Sequence, residues 1–155
     1  FLDALDMDPA KLDFVEEPPP VETQATAANA PPYALDESIK EARDAGDAWR
    51  PAFDDADALV LKAALLGVGA SAALATRAAR PVVSSCFESG VGLAHLACFA
   101  AALRREDAHG LGTFAWLKDD PLEPSFASLL DADLKLDVPS AERALRDAAT
   151  RVLGT

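Results

Sequence analysis

The sequence predicts an α/β fold in which parallel strands alternate with helices. Three observations lead there. Short apolar runs end at Glu16, Asp36, Lys62, Ser84 and Gly110, positions 20, 26, 22 and 26 residues apart, and each step has room for one strand, one loop and one helix. Ala58-Leu59-Val60-Leu61 carries no charge until Lys62 closes it, the pattern of a strand buried on both faces. Val91 to Leu103 is apolar nearly all round, as a buried helix is. Strands that alternate with helices form a parallel sheet and bring their C-terminal ends to one rim, where such folds carry their chemistry.

Leu12-Asp13-Phe14-Val15 reads as the first strand, closed by Glu16-Glu17 and by Pro18-Pro19-Pro20, which cannot donate to a ladder. Val21 to Ala30 reads as a short helix stopped by Pro31-Pro32. Tyr33-Ala34-Leu35 is the next strand. A helix is expected from Ile39 to Trp49, with Ser38 as its cap and Pro51 as its stop. Asp54, Asp55 and Asp57 form a solvated turn before the lysine strand. An alanine-rich helix follows from Ala70 to Ala79, then the strand Pro81-Val82-Val83, which runs into Ser84-Ser85-Cys86-Phe87-Glu88-Ser89. Arg104 and Arg105 close the apolar helix and suit its C-terminal dipole. His109 to Phe114 is a glycine-rich strand or turn, and Leu134 to Val138 a further strand. Pro139-Ser140 opens a last helix that buries Leu145, Ala149 and Val152. His95 is expected to be a packed core histidine, Trp49 and Trp116 to pack, Asp119-Asp120 to be a solvated turn, and His109 to pack rather than reach the rim.

At 155 residues the chain suits one domain with a core of its own. Acidic residues number 26 against 14 basic, a formal net charge of −12, which argues against nucleic acid and against an anionic membrane as partners. No apolar run reaches the roughly 18 residues of a membrane span. No secretory signal is expected, because Phe1 opens an acidic stretch. Two cysteines, Cys86 and Cys98, suit a reducing compartment such as the cytoplasm, with no disulfide.

Glu16, Asp36 and Lys62 on neighbouring strand ends have a chemical meaning together. Two carboxylates with no cysteine nearby form a hard oxygen site suited to magnesium, which takes few protein ligands and keeps water and substrate in its shell. A metal beside a lysine amine can remove a proton next to a carboxylate. Glu17 is expected to be a supporting or solvated carboxylate rather than the ligand.

Phe14-Val15-Glu16-Glu17-Pro18, Leu35-Asp36-Glu37-Ser38 and Val60-Leu61-Lys62 resemble, in that order, the motifs of the enolase superfamily, muconate-lactonizing subgroup. Such sites, with a lysine and magnesium, are a known pattern of tuned acid–base chemistry. Pro81-Val82-Val83-Ser84-Ser85-Cys86-Phe87-Glu88-Ser89-Gly90-Val91-Gly92 and Ala108-His109-Gly110-Leu111-Gly112-Thr113 narrow the resemblance to the o-succinylbenzoate synthase family. The resemblance spans Leu12 to Leu122. It implies a (β/α)7β barrel, of which this chain matches strands four to eight. It also implies Glu16 and Asp36 as the second and third magnesium ligands, and Lys62 as a lysine whose charge stabilises an enediolate. Ser84, Ser85 and Gly110 match the region that holds the succinyl arm of a small carboxylate substrate. The family's first metal ligand, an aspartate, and its Lys-x-Lys base are not matched, since Lys11 stands alone. The rest of the barrel and a capping domain are therefore expected in a longer parent chain.

The activity so implied is the magnesium-dependent dehydration of 2-succinyl-6-hydroxy-2,4-cyclohexadiene-1-carboxylate to 2-succinylbenzoate, a step of menaquinone and phylloquinone synthesis. A plastid location follows from the resemblance if the source is photosynthetic. The same site would serve a racemase or epimerase of acylated amino acids or dipeptides. A non-catalytic half barrel is the reading from another functional class.

Overall fold

The computed structural model describes residues 13–17, 32–46, 52–103 and 107–153. In chain order the elements are β1 (Val15–Glu16), β2 (Tyr33–Leu35), α1 (Glu37–Asp44), α2 (Ala52–Asp55), β3 (Ala58–Leu61), α3 (Ala63–Leu66), α4 (Val68–Ala75), β4 (Pro81–Val83), α5 (Gly90–Ala102) and α6 (Val138–Leu153), with 3-10 turns at Gly112–Trp116 and Phe126–Leu129. The chain divides into two compact units, Phe1–Leu61 with Gly69–Pro81, and Lys62–Val68 with Val82–Thr155.

The sheet runs in the order β1-β2-β3-β4. β1 pairs with β2 in parallel, Val15 opposite Tyr33 and Glu16 opposite Ala34; β2 pairs with β3 in parallel, Ala34 opposite Ala58 and Leu35 opposite Leu59. The Leu59 N–H donates to the Arg80 carbonyl at 3.0 Å, at the entry to β4. Parallel strands cannot be joined by tight turns, and among the described residues α1 and α2 lie between β2 and β3, and α3 and α4 between β3 and β4, as the spacing predicts. All four residues of β3 are buried, none more than 2% exposed. A parallel strand covered on both faces explains its unbroken apolar run.

The first unit is tied at the strand entries. Arg80 holds Asp13 through two hydrogen bonds of 2.7 Å and lies 5.3 Å over the Phe14 ring. The Asp13 carboxyl is held below its ordinary range, chiefly by that hydrogen bond. The Asp57 carboxylate accepts from the Tyr33 N–H at 2.9 Å, and the Asp57 N–H donates back to the Tyr33 carbonyl at 3.0 Å. The three acidic residues are exposed as expected, but Asp54 and Asp55 lie in α2 rather than in a turn, and Asp57 fixes where β2 begins. α1 buries Ile39 and Ala42 and stops at Asp44, because Gly46 takes the left-handed conformation that closes a helix (φ +85°). Its N-cap is Asp36 rather than Ser38, and it starts two residues before Ile39. In α4, Ser71 is fully buried and its hydroxyl has no hydrogen-bond partner among the described residues. The alanine-rich segment turns helical earlier than expected, since α3 and α4 are separated by Gly67 at φ +84°.

In the second unit, α5 packs on α6 and on the Phe126–Leu129 turn. Leu93, Ala94, Ala97, Leu122, Phe126, Leu129, Ala141 and Ala144 form one cluster. Small residues on α5 let its neighbours approach closely: a side chain at Gly92 would come within 2.6 Å of Glu88 Cβ. Four local expectations are corrected here. His95 is exposed, its Nδ1 2.9 Å from the Val91 carbonyl, because α5 buries the faces on either side of it. Trp116 is 79% exposed on its 3-10 turn. Leu134 to Val138 is not a strand: Leu134 has φ +59°, and Asp131 Oδ1 accepts from the Asp133 and Lys135 N–H groups, leaving only the antiparallel bridge of Leu130 with Leu136. α6 buries Ala141 and Ala144, with Leu145 and Ala148 partly covered, whereas Ala149 is exposed and Val152 is 84% exposed. The buried face thus begins earlier in the turn, set by the alanines that fit against α5. Leu12, the segment Val21 to Ala30, Trp49, Arg104 and Arg105 lie outside the described residues.

Candidate functional site

Glu16 is the last residue of β1, and Asp36 follows the last residue of β2. The two strands are parallel neighbours, so both carboxylates stand at the same end of the sheet. Glu16 pairs with Ala34; Asp36 is two residues on, a step of about 7 Å along the strand that returns to the same face. Glu16 is exposed, while Asp36 is only 7% exposed.

Glu17 does something different. Its Oε1 accepts from the Asp36 N–H at 2.8 Å, the Ser38 N–H at 2.8 Å and the Ser38 hydroxyl at 2.5 Å. These amides lie at the N-terminus of α1, whose N-cap has no side-chain cap of its own. A helix start presents unpaired N–H groups and a positive end of the dipole, and a carboxylate satisfies both. Glu17 sits at φ +41°, a conformation rare for a side chain other than glycine, which turns it toward the helix. It therefore fixes the backbone at Asp36 and at the start of α1. Chemically, two carboxylates are hard oxygen donors of the kind that could hold magnesium, an ion that takes one or two protein carboxylates and fills its shell with water and substrate. Among the described residues no third His, Cys, Asp or Glu joins them as a group.

The second unit holds the remaining sequence-predicted residues. Lys62 follows β3 and occupies the N-cap position of α3, its carbonyl accepting from the Leu65 and Leu66 N–H groups at 2.9 Å each. Ser84 and Gly110 form a parallel bridge. The Gly110 N–H donates to the Val83 carbonyl at 2.8 Å, and the Gly110 carbonyl accepts from the Ser85 N–H and hydroxyl at 2.9 Å each. Thr113 donates to the Ser85 hydroxyl at 2.9 Å. Ser84, Ser85 and Gly110 are thus brought together, with Ser85 pinned internally and Ser84 half-exposed, making only a 3.5 Å contact to the Gly110 carbonyl. A side chain at Gly110 would come within 2.8 Å of the Ser84 hydroxyl, which would have to rotate away.

His109 packs, as expected. Its Nδ1 accepts from the Val83 N–H at 3.2 Å, and burial pushes its pKa below the usual 6.5, with Asp107 opposing. Sequence reasoning missed Asp120. Its Oδ1 accepts from the Leu122 N–H at 3.0 Å and its Oδ2 from the Phe126 N–H at 2.8 Å, and the carboxylate lies against Gly90, the first residue of α5. Only the glycine at position 90 hinted at that approach.

No protein-family model matches the chain, and no match is found among curated proteins.

Proposed function

We propose that this chain is the C-terminal part of a magnesium-dependent lyase barrel of the enolase superfamily, acting as an o-succinylbenzoate synthase. The observation that carries the reading is the Glu16–Asp36 pair: two hard carboxylates at one end of adjacent parallel strands, on one face, with the nearest rival, Glu17, already committed to α1. Glu16 and Asp36 would hold the magnesium, which when bound supplies Lewis-acid stabilisation of a substrate carboxylate. The first unit's own contribution is rigidity, since Glu17 fixes the backbone at Asp36 before any ligand arrives. In the second unit Lys62 supplies a fixed cation for the negative charge that grows when the substrate loses its proton, and such a charge favours the transition state over the ground state. The half-exposed Ser84 hydroxyl supplies a hydrogen bond for the substrate's succinyl arm, with the Gly110 backbone drawn close by its lack of a side chain.

The test uses the full-length protein with 2-succinyl-6-hydroxy-2,4-cyclohexadiene-1-carboxylate, followed by the absorbance of the aromatic product. Glu16→Gln and Asp36→Asn are expected to weaken magnesium binding and lower turnover, while Glu17→Gln chiefly lowers stability. Full turnover in Glu16→Gln and Asp36→Asn would remove the metal role, and conversion of N-acyl amino acids in place of this substrate would move the protein to the racemases.

A further inference from the structure

A cavity of about 670 Å³ lies within the second unit, beside α5. Its size falls in the range of small-molecule sites, roughly 300–1,000 Å³. Ala97, Ala100 and Ala101 give it one wall, smooth because alanine projects only a methyl group. Leu111, Phe114 and Phe126 give it another, the two rings tilted at 53° with centroids 5.8 Å apart. Leu134, on the lining, is 70% exposed and held at φ +59°. A leucine is rarely held in that conformation.

This cavity is separate from the Ser84–Gly110 edge. Ser84 faces Gly110 across the bridge, whereas Leu111, the next residue, packs on the other side with Val83, Leu96 and Ala100. The strand thus offers one side to the proposed substrate arm and the other to the cavity.

The polar groups of the lining define what could bind. Lys135 and Asp133 are exposed and 4.0 Å apart, and together bring no net charge. Asp107 is a second acidic residue on the lining, so its formal charges do not favour an anion. His109 is different. Because its Nδ1 accepts from the Val83 N–H, the neutral ring carries its proton on Nε2. His109 is on the lining, and its Nε2–H, which makes none of the hydrogen bonds seen among the described residues, is the one neutral side-chain donor there, beside the apolar wall. A donor covered by a purely apolar ligand would lose its water and gain nothing. A ligand with one acceptor avoids that loss.

We propose that the cavity binds a flat, uncharged apolar molecule with a single carbonyl acceptor, its rings against the α5 alanines and Phe114 and its oxygen on His109 Nε2. The inference does not depend on the reaction proposed above. The experiment is calorimetric titration of the full-length protein with 2-acetonaphthone and with 2-ethylnaphthalene, which has the same shape without the acceptor. The ketone is expected to bind about tenfold more tightly, the value of one hydrogen bond to an otherwise unpaired donor. NMR should show the ketone shifting the His109 ring resonances. Ala101→Phe fills the hollow from an exposed position on α5, so it should abolish binding of both probes without changing the unfolding midpoint. Equal affinity for the two probes, unperturbed His109 resonances, undiminished binding to a folded Ala101→Phe protein, or no binding at all would each overturn the proposal.

Discussion

Gly90→Ala tests how the second unit is held together. Gly90 opens α5 with an ordinary φ, so the backbone itself would accept alanine. The obstacle is Asp120: a Cβ at position 90 would stand 2.0 Å from its Oδ1 and 2.1 Å from its Oδ2. The carboxylate has to leave, and with it go the hydrogen bonds from the Leu122 and Phe126 N–H groups. Each bond to a charged acceptor is worth about 1.5–3 kcal/mol, so the loss is about 3–6 kcal/mol. Alanine returns at most about 1 kcal/mol of helix propensity, leaving a net loss of about 2–5 kcal/mol. Both released amides belong to residues at the centre of the α5–α6 cluster, Leu122 at 2% and Phe126 at 1% exposure, so water cannot easily replace the carboxylate. Urea denaturation should show a lower midpoint with an unchanged slope. The decisive arm is the double-mutant cycle. In an Asp120→Ala background the clash is gone, and Gly90→Ala should be neutral or slightly stabilising. A cost below about 1 kcal/mol in the wild-type background, or the same cost in both backgrounds, would refute the reasoning.

Other perturbations address other parts of the molecule. Ser71→Ala should stabilise the protein by about 1 kcal/mol in thermal or urea denaturation, because it removes a buried hydroxyl with no partner among the described residues. His109 has a folded pKa depressed by burial, so the unfolded chain binds more protons than the folded one just below pH 6.5. Its contribution to stability is present in full above pH 6.5 and is lost as the pH falls below that value; His109→Phe, measured from pH 5 to 8, should flatten that part of the profile. Lys62→Ala in the full-length protein should lower kcat by about 10²–10³ with little change in KM, the mark of a group that acts on the transition state. Lys62→Arg should fail to restore it, since a guanidinium cannot replace a compact ammonium charge. Normal turnover by Lys62→Ala would reduce that residue to the end of a strand.

Burial and periodicity carried most of the legible structure. β2, β3 and β4 appear where Tyr33, Ala58 and Pro81 begin their apolar runs, because a strand covered on both faces leaves no room for a charge inside it. The parallel order of β1, β2 and β3 followed from helix-sized connections. What escaped notice was decided by partners distant in sequence. Ser38 has the chemistry of a cap, but Glu17 reaches the α1 terminus first and leaves Ser38 as a donor. Asp120 looks like half of a solvated pair until the glycine at position 90 is known to face it, whereas Asp119 is indeed exposed. On α6 the pattern admitted two neighbouring faces, and alanine, small enough to fit against α5, was selected over the larger Val152. The strand-end positions of Glu16 and Asp36 were legible because each carboxylate directly ends an apolar run.

Glu17 also changes how the first unit should open. Its one oxygen links Asp36 and Ser38 to a residue 19 and 21 positions earlier in the chain. The amides at the head of α1 are therefore protected by Glu17, the residue after β1, and not by the helix itself. In hydrogen exchange an ordinary first turn loses protection by local fraying, at almost no free-energy cost. Here the Asp36 and Ser38 amides should exchange only when Glu17 lets go, together with the Glu17 N–H that bonds to the Ala34 carbonyl at 2.9 Å. The helix start thereby becomes a non-local contact, formed after β1 and β2 have come together and the entropy of that closure has been paid.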